Sequence, residues 1–296
     1  MKVSFVGKGS GGIISHDMVD LPSDFSRWDA SPAPTVTLFA PGGGTIVASA
    51  TASTVDATTL ASAAPAATND IALATTAGVL RWEPYVVGPN AAGQAEWCIL
   101  DAVASATGVV TTLDPLRYSY ASSQAFKTHR LKTTITATDA GSLVANARAE
   151  WGYEVDDVAR KESTIFNISL YAPRLGLTSS DVLSIEPRVR KVIGSNQRID
   201  YLLRHLWESR VLPDIAKIFN PGALVSGAEA DEALLFLVQQ YMARKSKELE
   251  LAEEYGRLYG DALDELRNSM IDLDQSGAQG EDEVVRGINT PRMMRG

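Results

Sequence analysis

The hydrophobic period of this chain changes once, at Pro173, and that change constrains the fold more than any single motif. Upstream, apolar and polar residues alternate in short runs. TVTLFA starts at Thr35, IALATT at Ile71, VLRWEP at Val79, EWCILDAV at Glu96 and GVVTTLDP at Gly108, with Gly, Pro and Asn between them. Alternation places successive side chains on opposite faces of a strand, so these runs predict β-structure. Downstream the apolar spacing becomes about 3.6 residues, the period of a helix with one buried face. Strands followed by helices predict an α+β fold: an N-terminal β-rich domain, sandwich or barrel-like, then a C-terminal helical bundle domain. The expected division is an extended N-terminal arm over residues 1–30, a β-rich domain over 31–173, a helical domain over 174–273 and an extended C-terminal arm over 274–296.

The clearest local signal is RAEWGYEVDDVARKESTIFNI, from Arg148. A two-residue turn at Asp156 and Asp157 would pair Val155 with Val158, Tyr153 with Arg160 and Trp151 with Glu162. Ala149, Trp151, Tyr153 and Val155 then share one face, expected to be core. Tyr153 and Arg160 are placed to stack as a cation–π pair. Between Ala40 and Gly78 there is no Lys or Arg, and the Ala, Thr, Ser and Gly content predicts short strands and loops.

In the helical part, Ser180 is the expected cap of a short helix that Pro187 interrupts. Ile199, Leu202, Leu203, Leu206, Val211, Ile215, Ile218 and Phe219 mark the next stripe, kinked or restarted at Pro213 and ended by Asn220-Pro221-Gly222. From Ala228 to Met270 a longer stripe runs through Leu234, Leu237, Val238, Met242, Leu249, Ala252, Tyr259 and Leu266. The stripe slips near Lys245–Leu249, which predicts two antiparallel helices rather than one.

Several motifs suggest chemistry that their context does not support. Gly7, Gly9 and Gly12 satisfy G-x-G-x-x-G, but no helix can open at the last glycine to receive a pyrophosphate; the expected structure is a flexible arm. His16, His129 and His205 are scattered, and no nucleophile–base set stands out. A single Cys98 provides neither a disulfide framework nor a paired-cysteine metal site. Asp272, Asp274, Ser276, Gly277 and Glu283 have the spacing of an EF-hand loop. Gln279 stands where that loop needs an apolar residue, and Gly287 and Pro291 break any exit helix, so calcium binding is not expected and the weak candidate ligands are Asp272, Asp274, Ser276 and Glu283. No cofactor is implied. The longest apolar run, Ala233–Val238, is far too short to span a membrane, and no apolar stretch near Met1 is long enough for a secretory signal. The net charge of −9, with no clustered basic patch, argues against a grip on nucleic-acid phosphates. The closing INTPRMMRG is basic and methionine-containing, and Arg292, Met293, Met294 and Arg295 are candidate partner-docking residues.

The order of these pieces resembles the head-to-tail connector (adaptor) proteins of tailed bacteriophages. The resemblance rests on the hairpin RAEWGYEVDDVARKESTIFNIS, the link APRLGLTSSDVLSIEPRVRKVI and the helical runs YLLRHLWESRVLPDIAKIF and ALLFLVQQYMARKSKELELAEEYGRLYGDALDEL. It covers residues 145–280 in pattern and the earlier β-region in character, and the acidic D-x-D-x-x-G stretch after the last helix is also family-like. It implies a structural virion protein without catalytic residues, assembled in the host cytoplasm and located at the neck. Its copies, twelve in the family, would form a ring below the portal and contact the portal protein and a tail or neck-completion protein. Genomic DNA would pass through the ring's channel without specific binding. Two other classes fit the residues: a tail-completion or decoration protein, and a β-rich carbohydrate-binding or hydrolytic module.

Overall fold

The computed structural model describes residues 3–18, 28–29, 33–51, 53–54, 58–128, 130–169, 173–218 and 227–269. The strands are, in chain order, β1 (Val3–Gly7), β2 (Gly12–Asp17), β3 (Trp28–Asp29), β4 (Thr35–Phe39), β5 (Thr45–Thr51), β6 (Ser53–Thr54), β7 (Thr58–Thr59) and β8 (Asp70–Ala72). There follow β9 (Pro84–Val87), β10 (Glu96–Ala104), β11 (Val109–Thr112), β12 (Ala125–Thr128), β13 (Arg130–Ile135), β14 (Val144–Val155) and β15 (Val158–Ser169). Among the described residues helices come only after them, so the protein is α+β, β-rich first and helical second.

One sheet runs β1-β15-β14-β4-β5, with β3 added to β14; a second runs β2-β13-β6. Their inner faces share one core, built from Trp151, Phe166, Leu38, Ile14, Leu131 and Ile135 among others. The third sheet, β7-β12-β9-β10-β11-β8, encloses its own core around Tyr85, Phe126, Leu100 and Ile71. It is an insertion between β6 and β13, so the expected single β-domain contains two cores. Strand alternation joins them: on β9, Val86 faces the first core while Tyr85 and Val87 face the inserted one.

The β14–β15 hairpin has the expected register, with Val155 opposite Val158, Tyr153 opposite Arg160 and Trp151 opposite Glu162. Asp156 and Asp157 both adopt positive φ, 53° and 60°, the requirement of the tight turn whose twist matches the flanking strands. Ala149, Trp151, Tyr153 and Val155 are all buried. Arg160 is exposed, and the single Tyr153 O–H lies between two acceptors, Met18 O at 2.7 Å and Glu162 Oε1 at 2.9 Å.

The expected N-terminal arm is corrected over its described part. β1 pairs in parallel with β15, Val3 opposite Ile165, and β2 pairs antiparallel with β13. Val3, Val6, Ile14 and Met18 are buried. Such short strands carry too few alternations to stand out in sequence, and their partners lie more than a hundred residues away. The Gly7–Gly12 motif is the turn between them. Gly9 and Gly11 have positive φ, and a Cβ on Gly11 would collide with the Ile135 carbonyl, which is why glycine is required there.

The helical part begins with α1 (Ser179–Ile185). Its cap is Thr178, two residues before the expected Ser180, which lies inside the helix: the Thr178 side chain accepts from Asp181 N, and Asp181 reaches back to Thr178 N. This reciprocal box satisfies two otherwise orphaned donors. After Pro187 come α2 (Val189–Ile193) and α3 (Asn196–Leu206), the latter capped by Ser195. A π-helical turn, Trp207–Val211, carries the chain into α4 (Leu212–Ile218). Pro213 offers no N–H to the preceding turn, and the wide turn lets the helix continue past it. α5 (Gly227–Lys245) and α6 (Leu249–Ser269) fold back on each other across the expected break, with Lys247 at φ 62° in the position glycine usually takes. Leu249, expected in the apolar stripe, is 68% exposed at the start of α6. The buried stripe there is Ala252, Tyr259, Ala262 and Leu266.

Candidate functional site

The densest concentration of chemistry lies where the β-region meets the helices. Arg130 and Lys132 stand two residues apart on β13, so strand alternation aims both at one spot. There they meet Glu83, which immediately precedes β9 and whose side chain is only 6% exposed. Arg130 Nη1 lies 3.2 Å from Glu83 Oε1 and Lys132 Nζ 3.3 Å from Glu83 Oε2. From the helical side Arg204 Nη2 approaches Glu83 Oε1 at 3.6 Å. Arg130 Nε also donates to Asp17 Oδ1 at 2.8 Å, and Arg204 Nε donates to Glu208 Oε1 at 2.9 Å, one helical turn on. Burial draws the Arg130 pKa down, but the carboxylates of Asp17 and Glu83 outweigh it and the guanidinium is held more firmly charged than usual.

Three cations and three carboxylates thus compensate one another. Such a cluster binds two parts of a chain together, and it offers neither a free base nor a nucleophile. Beside it Arg81 lies 4.2 Å over the ring of Trp82, and Trp82 and Tyr201 of α3 have ring centroids 6.4 Å apart. The aromatic contact reinforces the same junction.

His16 occupies a second polar site inside the first β-core. Its ring stacks on Trp151 at 5.9 Å, and Nε2 lies 2.8 Å from Glu162 Oε2. The chain Glu162–Tyr153 then ends at the Met18 carbonyl, so it fixes β2 on the β14–β15 hairpin and leads to no reacting group. Burial lowers the His16 pKa below its ordinary 6.5, although Glu162 and Asp17 pull it upward. The unfolded chain therefore takes up a proton near pH 6.5 that the folded protein resists. Stability from this group is complete above that pH and declines as the pH falls through 6.5 towards the lower folded value. Urea melts between pH 7.5 and 5.5 are expected to show that decline, and His16→Gln is expected to reduce its slope.

A third carboxylate, Glu96, is buried at the start of β10. It accepts from Arg117 N at 3.0 Å, Tyr118 N at 3.1 Å and the Tyr120 hydroxyl at 3.1 Å, and so anchors the loop after β11. Burial, with Glu96 nearby, pushes the Cys98 thiol far up, which suits packing and not nucleophilic chemistry. An open cleft of about 470 Å³ lies along β4, β14 and β15, with Arg148 stacked on Phe39 at 5.0 Å. None of its lining residues is Asp or Glu.

Asp272, Asp274, Ser276 and Glu283 of the loop-like motif, and Arg292, Met293, Met294 and Arg295 of the docking segment, lie outside the described residues, as does His129. His205 is exposed on α3, far along the chain from His16. Among the described residues no three His, Cys, Asp or Glu side chains group as metal ligands, and no helix is long and apolar enough to cross a membrane. Sequence reasoning missed Glu83, Arg130 and Lys132. Arg130 and Lys132 alternate with Leu131 on the strand, so in sequence they read as charges on the face opposite the apolar one, and nothing local marks that face as covered. Comparison with known protein families, curated proteins and solved structures gave no match.

Proposed function

We propose that this protein is a head-to-tail connector of a tailed bacteriophage, a structural ring subunit at the virion neck. The observation that carries the reading is the order of its parts. A hairpin of two twelve-residue strands, β14–β15, feeds through a short link into a capped helix and then into a bundle closed by the α5–α6 hairpin. That is the order on which the sequence resemblance rests. The polar clusters are consistent with it, since each is consumed in holding elements together. An acidic subunit of net charge −9 also suits a channel lining that repels DNA phosphates and lets the genome pass. In this reading the portal and a tail or neck-completion protein are its neighbours, and Arg292, Met293, Met294 and Arg295 belong to a segment that docks on the portal.

Electron microscopy of the purified chain, alone and mixed with portal-bearing heads, tests the proposal. Annular particles of about twelve-fold symmetry, or annular density added beneath the portal, are expected. A monomer that leaves the heads undecorated overturns it.

A further inference from the structure

The helical region carries two faces of opposite charge that do not use each other. On α6 the residues facing away from the buried stripe are Glu250, Glu253, Glu254, Asp261, Asp264 and Glu265, all exposed. At 3.6 residues per turn they fall on one side of the helix, over about 22 Å from first to last. Arg257 is the one cation among them, and it is taken by Asp261 at 3.0 Å. The other five carboxylates have no ion pair among the described residues.

The opposite charge gathers at the end of the bundle where α5 turns into α6. Arg188 donates to Glu186 at 2.8 Å and reaches Glu248 at 3.9 Å, which places α2 beside that turn. The surface there presents Arg190 and Lys191 from α2, Arg244 and Lys245 from the end of α5 and Lys247 from the turn after it, all exposed. Lys245 lies over the Tyr241 ring at 5.5 Å, and none of the five has an ion pair among the described residues. Ile185, Val192 and Leu249, which border this end, are 53%, 43% and 68% exposed. A basic surface edged by uncovered apolar side chains has the composition of an interface: charge for selection and apolar area for adhesion.

We infer that the acidic outer face of α6 docks on the basic α2/α5-turn face of a second copy of this chain. The occupant follows from charge complementarity, since one molecule supplies both partners of the match. A two-fold dimer through either face would set like charges against each other. Acidic face on basic face is then either reciprocal in a two-fold pair or head-to-tail; the contact we infer is head-to-tail, which repeats around a ring or along a filament and is marked in mass photometry by particles larger than a dimer. Only the closure into a ring rests on the connector reading.

The test uses the full chain and mass photometry, at low salt and in 1 M NaCl. The wild type is expected to assemble at low salt and to lose assembly in high salt, because exposed charges are screened beyond roughly 3 Å at 1 M. One variant reverses the acidic face (Glu253→Lys, Asp264→Lys, Glu265→Lys) and another the basic face (Arg190→Glu, Lys191→Glu, Lys247→Glu). Each alone is expected to be monomeric, with wild-type helicity by circular dichroism. Mixed in equal amounts they are expected to assemble again, alternating around the particle, and such rescue also shows that both variants fold. Wild-type assembly by either variant alone overturns the inference while leaving the connector reading intact, and so does a mixture of two folded variants that stays monomeric. Should a lysine variant lose helicity, the matching Glu→Gln and Asp→Asn variant takes its place, and unchanged assembly there overturns the inference equally. Loss and rescue without annular particles supports head-to-tail docking and removes the connector reading. A wild type that is monomeric at every salt concentration overturns both.

Discussion

Trp151→Ala is expected to cost about 3–5 kcal/mol of unfolding free energy, the range for truncating a large aromatic in a core. Trp151 is fully buried at the centre of the larger β-core. It packs where two sheets meet, with His16 of β2 stacked on its ring. Its indole N–H donates to Thr164 Oγ1 at 2.8 Å across the hairpin. Alanine would therefore leave a cavity between the sheets, an orphaned hydroxyl and an unsupported imidazole together. Arg160→Ala on the same hairpin is expected to cost less than about 1 kcal/mol, since that side chain is exposed. Denaturant melts followed by circular dichroism give both numbers. Equal small losses would mean that the inward face of the hairpin carries little of the core.

The hairpin was legible because its information is local. Two aspartates between alternating runs set the turn, the turn sets the register, and the register decides that Trp151 and Tyr153 face inward. The break between α5 and α6 was legible for a similar reason: a 3.6-residue stripe cannot slip without the helix ending. What escaped was non-local. β1 and β2 look like an arm because five or six residues show too few alternations, and only their pairing with β15 and β13 makes them strands. The second β-core escaped because Val86 and Val87 read as one apolar pair, although they face different cores. Arg130 and Lys132 read as solvent-facing charges. Their burial follows from the arrival of α3 above them, which no spacing within β13 encodes.

Glu83→Gln is expected to destabilise the protein by about 3–5 kcal/mol, the cost of removing one partner from a buried ion cluster. The substitution preserves shape but withdraws the charge that Arg130, Lys132 and Arg204 share. Asp17 and Glu208 remain, and they face Arg130 and Arg204. Lys132 is the cation left least compensated, because Glu83 is its ion-pair partner among the described residues. Adding Lys132→Met to Glu83→Gln should therefore recover part of the loss, and the two changes together should cost less than the sum of each alone. The location adds a second signature. Glu83 lies at the inserted sheet, Arg130 on β13 and Arg204 on α3, so the cluster couples three separately cored regions. Its loss is expected to broaden the urea transition, or to split it between far-ultraviolet circular dichroism, which follows mainly the helices, and tryptophan fluorescence, which includes the Trp151 core. A loss below about 1 kcal/mol with a single coincident transition would mean that water, and not Glu83, neutralises the cations, and that apolar packing alone joins the helices to the sheets.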